Sequence, residues 1–199
     1  MITIKYSDNI HNYNYNSFEE ILKIDNYDDI IDINCSWINL SVLPNLPNSL
    51  IRLCCHNNNL SSLPELPNSL TYIDCANNNL SSLSKLPNSL KKLWCGNNNL
   101  SVLPELPNSL TELWCYNNNL SSLPKLPNSL NYFSYNTNPI YEYIKTYFNG
   151  ETKNYIEYHN NIKRKFVNKI GIWFLDCKYN PKYLYCRKRL MKEYEELYN

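Results

Sequence analysis

The sequence predicts a repeat solenoid, and three observations support that prediction. The same line of residues recurs every twenty positions through the middle of the chain. Each copy has leucine, cysteine and asparagine at fixed positions, as at Leu53, Cys55 and Asn58. Two prolines per copy, such as Pro64 and Pro67, exclude a helix from the rest of the turn. We therefore expect each copy to be one structural unit that buries its apolar face only against its neighbours.

The spacing L-x-x-L-x-L-x-x-N-x-L is typical of a leucine-rich repeat, in which one short strand per turn stacks beside the next. Residues around Arg52 to Cys55 alternate and predict that parallel strand, on the concave face of the solenoid. The proline-containing segment predicts an extended convex side. We expect six turns of period twenty over residues 30–140, with a column of asparagines turned inward to bond backbone groups. That column is Asn58, Asn78, Asn98, Asn118 and Asn138.

The residues before the repeats, 1–29, are interpreted as an N-terminal cap. Ser17 and Glu20 form a capping-box pattern, which predicts a short helix from Phe18 to Lys23. Such a helix would seal the open end of the core.

The period stops after residue 140, and residues 141–199 predict a helical C-terminal cap or a small subdomain. Asn138 and Pro139 are a helix start, and Asn149-Gly150 is a helix end. Further helices are predicted over 152–177 and after 181 from apolar residues at three- and four-residue steps.

Composition limits the class of protein. The 199 residues have a net charge of +1, and no apolar run reaches the roughly 18 residues of a membrane helix. The polar start lacks a signal sequence, so we expect an intracellular protein whose eight cysteines are thiols.

Five of the cysteines occupy one inward position of the repeat: Cys35, Cys55, Cys75, Cys95 and Cys115. The column could bind zinc or be buried as small apolar side chains, and burial is favoured because no histidine accompanies the column. No metal and no cofactor are predicted.

Charge is distributed unevenly along the chain. Residues 1–33 carry seven acids and two bases, whereas residues 140–199 carry twelve bases and seven acids. The basic clusters 163–165 and 187–189 lie among acids on predicted helices, which favours a solvated helix face. Nucleic-acid contact through these helices is kept as an alternative.

Function is predicted on the concave face, at the outward positions of the strands. Trp94 and Trp114 share a register on adjacent strands, about 4.8 Å apart, and we expect them to be exposed. Tryptophan and tyrosine carry much of the binding energy at protein interfaces, so the face is a candidate partner site. Its predicted contact residues are Arg52, Tyr72, Asp74, Lys92, Trp94, Glu112, Trp114, Tyr116 and Tyr132.

A cysteine-dependent enzyme is a further alternative, because Cys54, His56 and Asp74 share that face. Cys54 and His56 are two residues apart, which is about 6.6 Å along a strand, whereas a nucleophile and its base need about 3 Å. An open sheet also offers no evident oxyanion donors. No catalytic residue is predicted.

The line L-P-x-L-P-x-S-L-x-x-L-x-C-x-x-N-x-L, at Leu63 to Leu80, resembles the twenty-residue repeat of bacterial effectors of the Yersinia outer-protein and Shigella invasion-plasmid-antigen families. The cysteine position and the richness in Asn, Ile, Tyr and Lys resemble repeat proteins of giant viruses of the mimivirus group. The resemblance implies a protein-binding solenoid, in the host cytoplasm or the virion if the origin is viral. The ligase branch of the bacterial family has a large catalytic domain that the residues after 140 are too few to form. The prediction is a non-enzymatic protein-interaction module, with an adaptor for a ubiquitin ligase as an alternative.

Overall fold

The computed structural model describes residues 1–7, 11–152 and 154–156. The strands of the described residues are β1 (Ile2–Tyr6), β2 (Tyr13–Tyr15), β3 (Ile30–Asn34), β4 (Arg52–Cys54), β5 (Tyr72–Asp74), β6 (Lys92–Trp94), β7 (Glu112–Trp114) and β8 (Tyr132–Ser134). They form one sheet in the order β2-β1-β3-β4-β5-β6-β7-β8, in which β3 to β8 pair in parallel. Residues twenty apart lie opposite one another, as Leu53 does to Ile73. The stack makes about five complete turns, which confirms the predicted repeat solenoid.

The core is a set of inward columns. In one turn Leu50, Leu53, Cys55 and Leu60 have no exposed surface, and the same positions are buried in the next three turns. Full burial of a leucine side chain contributes about 1.5–3 kcal/mol relative to leaving it in water. The predicted cysteine column is therefore part of the apolar core. Burial raises the pKa of each thiol, to about 12 for Cys35.

Two asparagine columns have different structural roles. The amide of Asn58 donates from Nδ2 to the carbonyls of Cys35 and Cys55 at 2.9 and 3.0 Å, and its Oδ1 accepts from the N–H of Leu40 at 2.9 Å. The pattern recurs at Asn78, Asn98, Asn118 and Asn138, which confirms the predicted ladder. The preceding residue, Asn57, has φ 54°, a left-handed conformation that asparagine tolerates.

A serine column adds a second ladder that the sequence analysis did not predict. Ser69 donates its hydroxyl to the carbonyls of Asn48 and Leu50 in the preceding turn, at 2.7 and 2.6 Å. Ser89, Ser109 and Ser129 repeat the contact. The side of the turn that carries the prolines has no regular secondary structure, so these hydroxyls supply hydrogen bonds between turns.

The N-terminal segment differs from the predicted helix-only cap. Strands β1 and β2 form an antiparallel hairpin, and β1 also pairs antiparallel with β3. Ile2, Ile4 and Tyr6 are buried while Thr3 and Lys5 are partly exposed, an alternation that the sequence analysis overlooked. The helix α1 spans Phe18–Ile21 and is shorter than predicted. One half of the capping box is present, because Ser17 Oγ accepts from the N–H of Glu20. The Glu20 carboxylate accepts from the N–H of Asn16, the residue before the N-cap, and not from that of Ser17.

The chain divides into two compact units, Met1–Tyr141 and Glu142–Asn199. Helix α2 spans Pro139–Tyr147 and begins at the predicted proline. Asn149 and Gly150 follow it with φ of 49° and 79°, as predicted for a helix end. The predicted second helix is seen only at residues 152 and 154–156, and its remainder and the third helix lie outside the described residues. In the described part of the chain, no helix combines the length and apolar character needed to cross a bilayer.

Candidate functional site

The candidate site is the concave face of β3 to β8, where three outward positions per turn form three columns. The first column contains Asp32, Arg52, Tyr72, Lys92, Glu112 and Tyr132. The second contains Asn34, Cys54, Asp74, Trp94, Trp114 and Ser134. The third, just beyond the strands, contains Ser36, His56, Ala76, Gly96, Tyr116 and Asn136. Because parallel pairing places identical repeat positions opposite one another, residues far apart in sequence meet here.

A continuous row of side chains crosses four of these strands. The guanidinium carbon of Arg52 lies 4.8 Å from the centroid of the Tyr72 ring. Tyr72 meets Trp94 edge to face at 5.3 Å, and Trp94 stacks on Trp114 with centroids 4.6 Å apart and ring planes 8° apart. The predicted pairing of the two tryptophans is confirmed. Trp114 is 38% exposed, whereas Trp94 is less exposed.

The carboxylate of Glu112 fixes the orientation of the tryptophan pair. Its Oε1 accepts from the indole Nε1 of Trp94 at 3.0 Å, and its Oε2 lies 2.9 Å from the ammonium of Lys92. The Glu112 side chain is 11% exposed and that of Lys92 is 47% exposed. A carboxylate bonded on both oxygens and held between two strands leaves the indole one favoured orientation.

Tyr116 and Gly96 form the third close approach on this face. The carbon atoms of the Tyr116 ring lie so near Gly96 that a Cβ built on the glycine would be 2.7 Å from Cε1. The ring therefore lies across the preceding turn and covers the one outward position that has no side chain. Any larger residue at position 96 would displace the ring.

The concave face also contains a cluster of His56, Asp74 and Ser36. His56 Nδ1 lies 2.9 Å from a carboxylate oxygen of Asp74 and 3.1 Å from the Ser36 hydroxyl. Desolvation raises the pKa of Asp74, and the N–H of Ala76 and the neighbouring His56 oppose that rise. A Ser-His-Asp triad uses the two different ring nitrogens for nucleophile and carboxylate. Here both partners meet the same nitrogen, so the cluster has the geometry of a structural link between turns.

Cys54, the candidate nucleophile of the enzyme alternative, is 3% exposed and does not face solvent as predicted. Burial is the largest cause that raises the pKa of its thiol, to about 11. A thiol with that pKa is almost wholly protonated at neutral pH, whereas reactive cysteines have lowered pKa values.

Two of the predicted contact residues are buried. Asp74 and Glu112 are only 7% and 8% exposed, and each binds a basic side chain of the preceding turn. Their role on this face is to hold His56, Lys92 and Trp94 in place. Arg52, Trp114 and Tyr132 remain exposed, with Tyr132 at 68%.

One exposed residue beside this face was missed. Trp37 is 73% exposed and has φ 63°, at a repeat position where the next turns have asparagine. Its ring meets that of His56 edge to face at 6.3 Å. The available signal was a tryptophan at a position where the following turns have asparagine.

Within the described residues, no three His, Cys, Asp or Glu side chains are grouped so that they could hold a metal ion. The buried thiols instead contact backbone; for example, the Cys35 Sγ lies 3.5 Å from the carbonyl of Cys54.

The fold is similar to that of solved bacterial effectors. YopM from Yersinia enterocolitica is 42% identical with a TM-score of 0.53, over 54% of this chain and 24% of that chain. YopM from Yersinia pestis, a leucine-rich effector protein, is also 42% identical with a TM-score of 0.52, over 54% of this chain and 31% of that one. The leucine-rich repeat domain of a Shigella effector is 39% identical with a TM-score of 0.55, over 60% of this chain and 53% of that domain.

This chain thus spans from about a quarter to about half of the length of these structures. No protein-family model and no curated protein matches the sequence. The predicted resemblance to bacterial effector repeats is confirmed, and the resemblance to viral proteins stays a prediction. The chain folds as a leucine-rich repeat solenoid with the short, twenty-residue repeat of these bacterial effectors.

Proposed function

We propose that this chain is a non-enzymatic protein-interaction module that binds a partner on its concave face. The observation that carries the proposal is the stacked pair of Trp94 and Trp114, held on an ordered sheet with Trp114 open to solvent. Tryptophan, tyrosine and arginine dominate the binding energy of protein interfaces. The proposed contact residues are the nine predicted ones, among which Asp74 and Glu112 act by positioning their neighbours.

The mechanism is rigid presentation. Trp94 is fixed by Glu112, Tyr72 and Trp114, and Arg52 is fixed between Tyr72 and Asp32, which its guanidinium meets at 3.4 Å. Ordering a mobile side chain on binding costs about 0.5–1.5 kcal/mol, and these side chains are already ordered. A partner therefore meets a face that does not need to reorganise.

The finer possibilities for this module have different support. The three similar structures are effectors, which favours a partner from a eukaryotic host and action in its cytoplasm. An adaptor for a ubiquitin ligase is one such role, and a viral origin rests on composition alone. Nucleic-acid contact would use the basic clusters 163–165 and 187–189, which lie outside the described residues. The buried, protonated thiol of Cys54 favours binding over cysteine-dependent catalysis.

The proposal is tested by capture of host proteins on the immobilised full chain, followed by cross-linking and mass spectrometry. The test variant carries Trp94→Ala and Trp114→Ala. The control variant carries Val42→Ala and Val102→Ala, which remove exposed apolar side chains outside the concave strands. We expect proteins that bind the native chain and the control but not the test variant.

Circular dichroism and the urea midpoint would verify that each variant is folded. Trp114→Ser alone, which changes the more exposed ring, is the second variant if the double substitution unfolds the chain. Capture that is unchanged in a folded tryptophan variant would overturn the proposed site.

A further inference from the structure

The stack of indoles ends abruptly at Trp114. One face of this ring is covered by Trp94, and the next residue in the same column, opposite Trp114 on β8, is Ser134. A serine side chain is too short to cover an indole on a strand about 4.8 Å away. The result is a step, with Trp114 as its wall and Ser134 as its floor, and we refer to these two residues together with the exposed Tyr132 as the shelf.

The electrostatics of the shelf favour a cation. Aromatic ring faces carry negative potential, and tryptophan binds cations most strongly. Glu112 is the single charged side chain among the outward positions of the last two turns. The nearest outward cation, Lys92, is bonded to that carboxylate. A positive group on the outer face of Trp114 would therefore meet an aromatic wall and no opposing charge from β7 or β8.

The concave face already contains one contact between a guanidinium and an aromatic ring, that of Arg52 with Tyr72. Arg52 lies over Tyr72 with its carbon 4.8 Å from the ring centroid, one column away from the tryptophans. A guanidinium is flat, so it can continue a stack of rings across one strand spacing, whereas an ammonium is a compact point charge. The Ser134 hydroxyl donates to Asn136 Oδ1 at 2.8 Å, and both oxygens keep lone pairs that accept from a guanidinium N–H.

We propose that the partner inserts an arginine side chain onto the shelf, with its guanidinium stacked on the outer face of Trp114 above Ser134. This inference rests on the proposed function and specifies the chemistry of its ligand, a protein segment that presents arginine. The attraction of the cation to the ring and the stacking of the planar guanidinium on the indole both act at the outer face of Trp114.

The test uses blocked tripeptides, acetyl-Gly-X-Gly-amide, in which X is arginine, citrulline, lysine or phenylalanine. Each is titrated into the full chain while the indole N–H proton resonances of the tryptophans are followed by NMR. We expect saturable shifts of the Trp114 resonance with arginine. Citrulline keeps the flat shape and lacks the charge, and should bind about five- to tenfold more weakly because a cation–ring contact is lost.

Ser134→Trp fills the shelf by placing a ring against the outer face of Trp114 while leaving Trp94 and Trp114 themselves unchanged, and should abolish the arginine-dependent shift. Ser82→Trp, which places the same ring at an exposed position outside the strands, is the matched control and should leave it intact. Equal binding of citrulline and arginine, tighter binding of phenylalanine, absence of a saturable Trp114 shift, or an unaffected Ser134→Trp variant would each overturn the inference.

The two proposals fail differently. If captured host proteins depend on Trp94 and Trp114 but bind Ser134→Trp as well as the native chain, the concave site stands and the arginine shelf is wrong. If no capture depends on the tryptophans, the proposed function is wrong, whatever the tripeptides show.

Discussion

Inward and outward columns of the same six strands follow different rules. The inward positions repeat almost without change, as Leu53, Cys55 and Asn58 do in the turns that follow. The outward positions vary along a column, from Arg52 to Tyr72 to Lys92 in the first of them. Inward side chains repeat because every turn meets an identical neighbour. Outward side chains meet solvent or a partner, so the residues that differ between copies are those that can encode recognition.

The outward face itself has two halves. On β3 to β5 the acids are paired with bases, Asp32 with Arg52 and Asp74 with His56. From β6 to β8 the face is dominated by aromatic rings. The ion pairs and the stacked tryptophans each join neighbouring turns, so the variable columns contribute to stability as well as to recognition. Substitutions in the two kinds of column should therefore separate the two contributions.

The largest effect is expected in the inward asparagine column, for Asn98→Ala. The Asn98 amide donates to the carbonyls of Cys75 and Cys95 at 3.1 and 3.2 Å and accepts from the N–H of Leu80 at 2.9 Å. Alanine would leave these buried groups without their partner, so we expect a loss of about 3 kcal/mol in the free energy of unfolding. Urea denaturation would measure it.

Asn99→Ala is the matched control for that substitution. The Asn99 side chain is exposed, and its contact with Leu80 is made by the backbone N–H, which alanine retains. We expect a change within about 0.5 kcal/mol. Similar losses for the two variants would show that the asparagine ladder does not hold the turns together.

An intermediate effect is expected at the outward glycine, for Gly96→Ala. The added methyl group would lie 2.7 Å from the Tyr116 ring, so the ring has to move. Overpacking of this kind costs about 1 kcal/mol or more, and the aromatic covering of the sixth strand would shift with it. The free energy of unfolding from urea curves and the Tyr116 ring resonances would report the two consequences.

A double-mutant cycle with Tyr116→Ala isolates the clash. Once the ring is removed, Gly96→Ala should be neutral or slightly stabilising, because alanine restricts the unfolded chain more than glycine does. An equal cost with and without the ring would place the strain in the backbone instead of in the contact with Tyr116.

The sequence alone was sufficient for the solenoid, because the period defines the inward columns and burial follows from the period. It was also sufficient to place Trp94 beside Trp114, since parallel pairing puts equal repeat positions opposite one another. It did not reveal that Asp74 and Glu112 are covered, because their burial depends on which way His56 and Lys92 turn. The N-terminal hairpin was overlooked because three alternating apolar residues in a polar segment were too short a pattern to separate from a loop.

The smallest effect is expected for an outward ion pair, in Lys92→Met. The Lys92 ammonium lies 2.9 Å from Glu112, but its side chain is 47% exposed, so water can replace it at the carboxylate. Exposed pairs contribute about 0.2–1 kcal/mol, and we expect a loss at the lower end of that range that shrinks further in high salt. Lys91→Met, at an exposed neighbouring position, controls for removal of a positive charge from the same strand region.

A loss above about 2 kcal/mol in the free energy of unfolding for Lys92→Met, insensitive to salt, would contradict this expectation. It would mean that Glu112 depends on this ammonium as a buried charge does on its only partner. In that case the orientation of Trp94, and with it the wall of the shelf, would depend on an outward residue as strongly as the turns depend on Asn98.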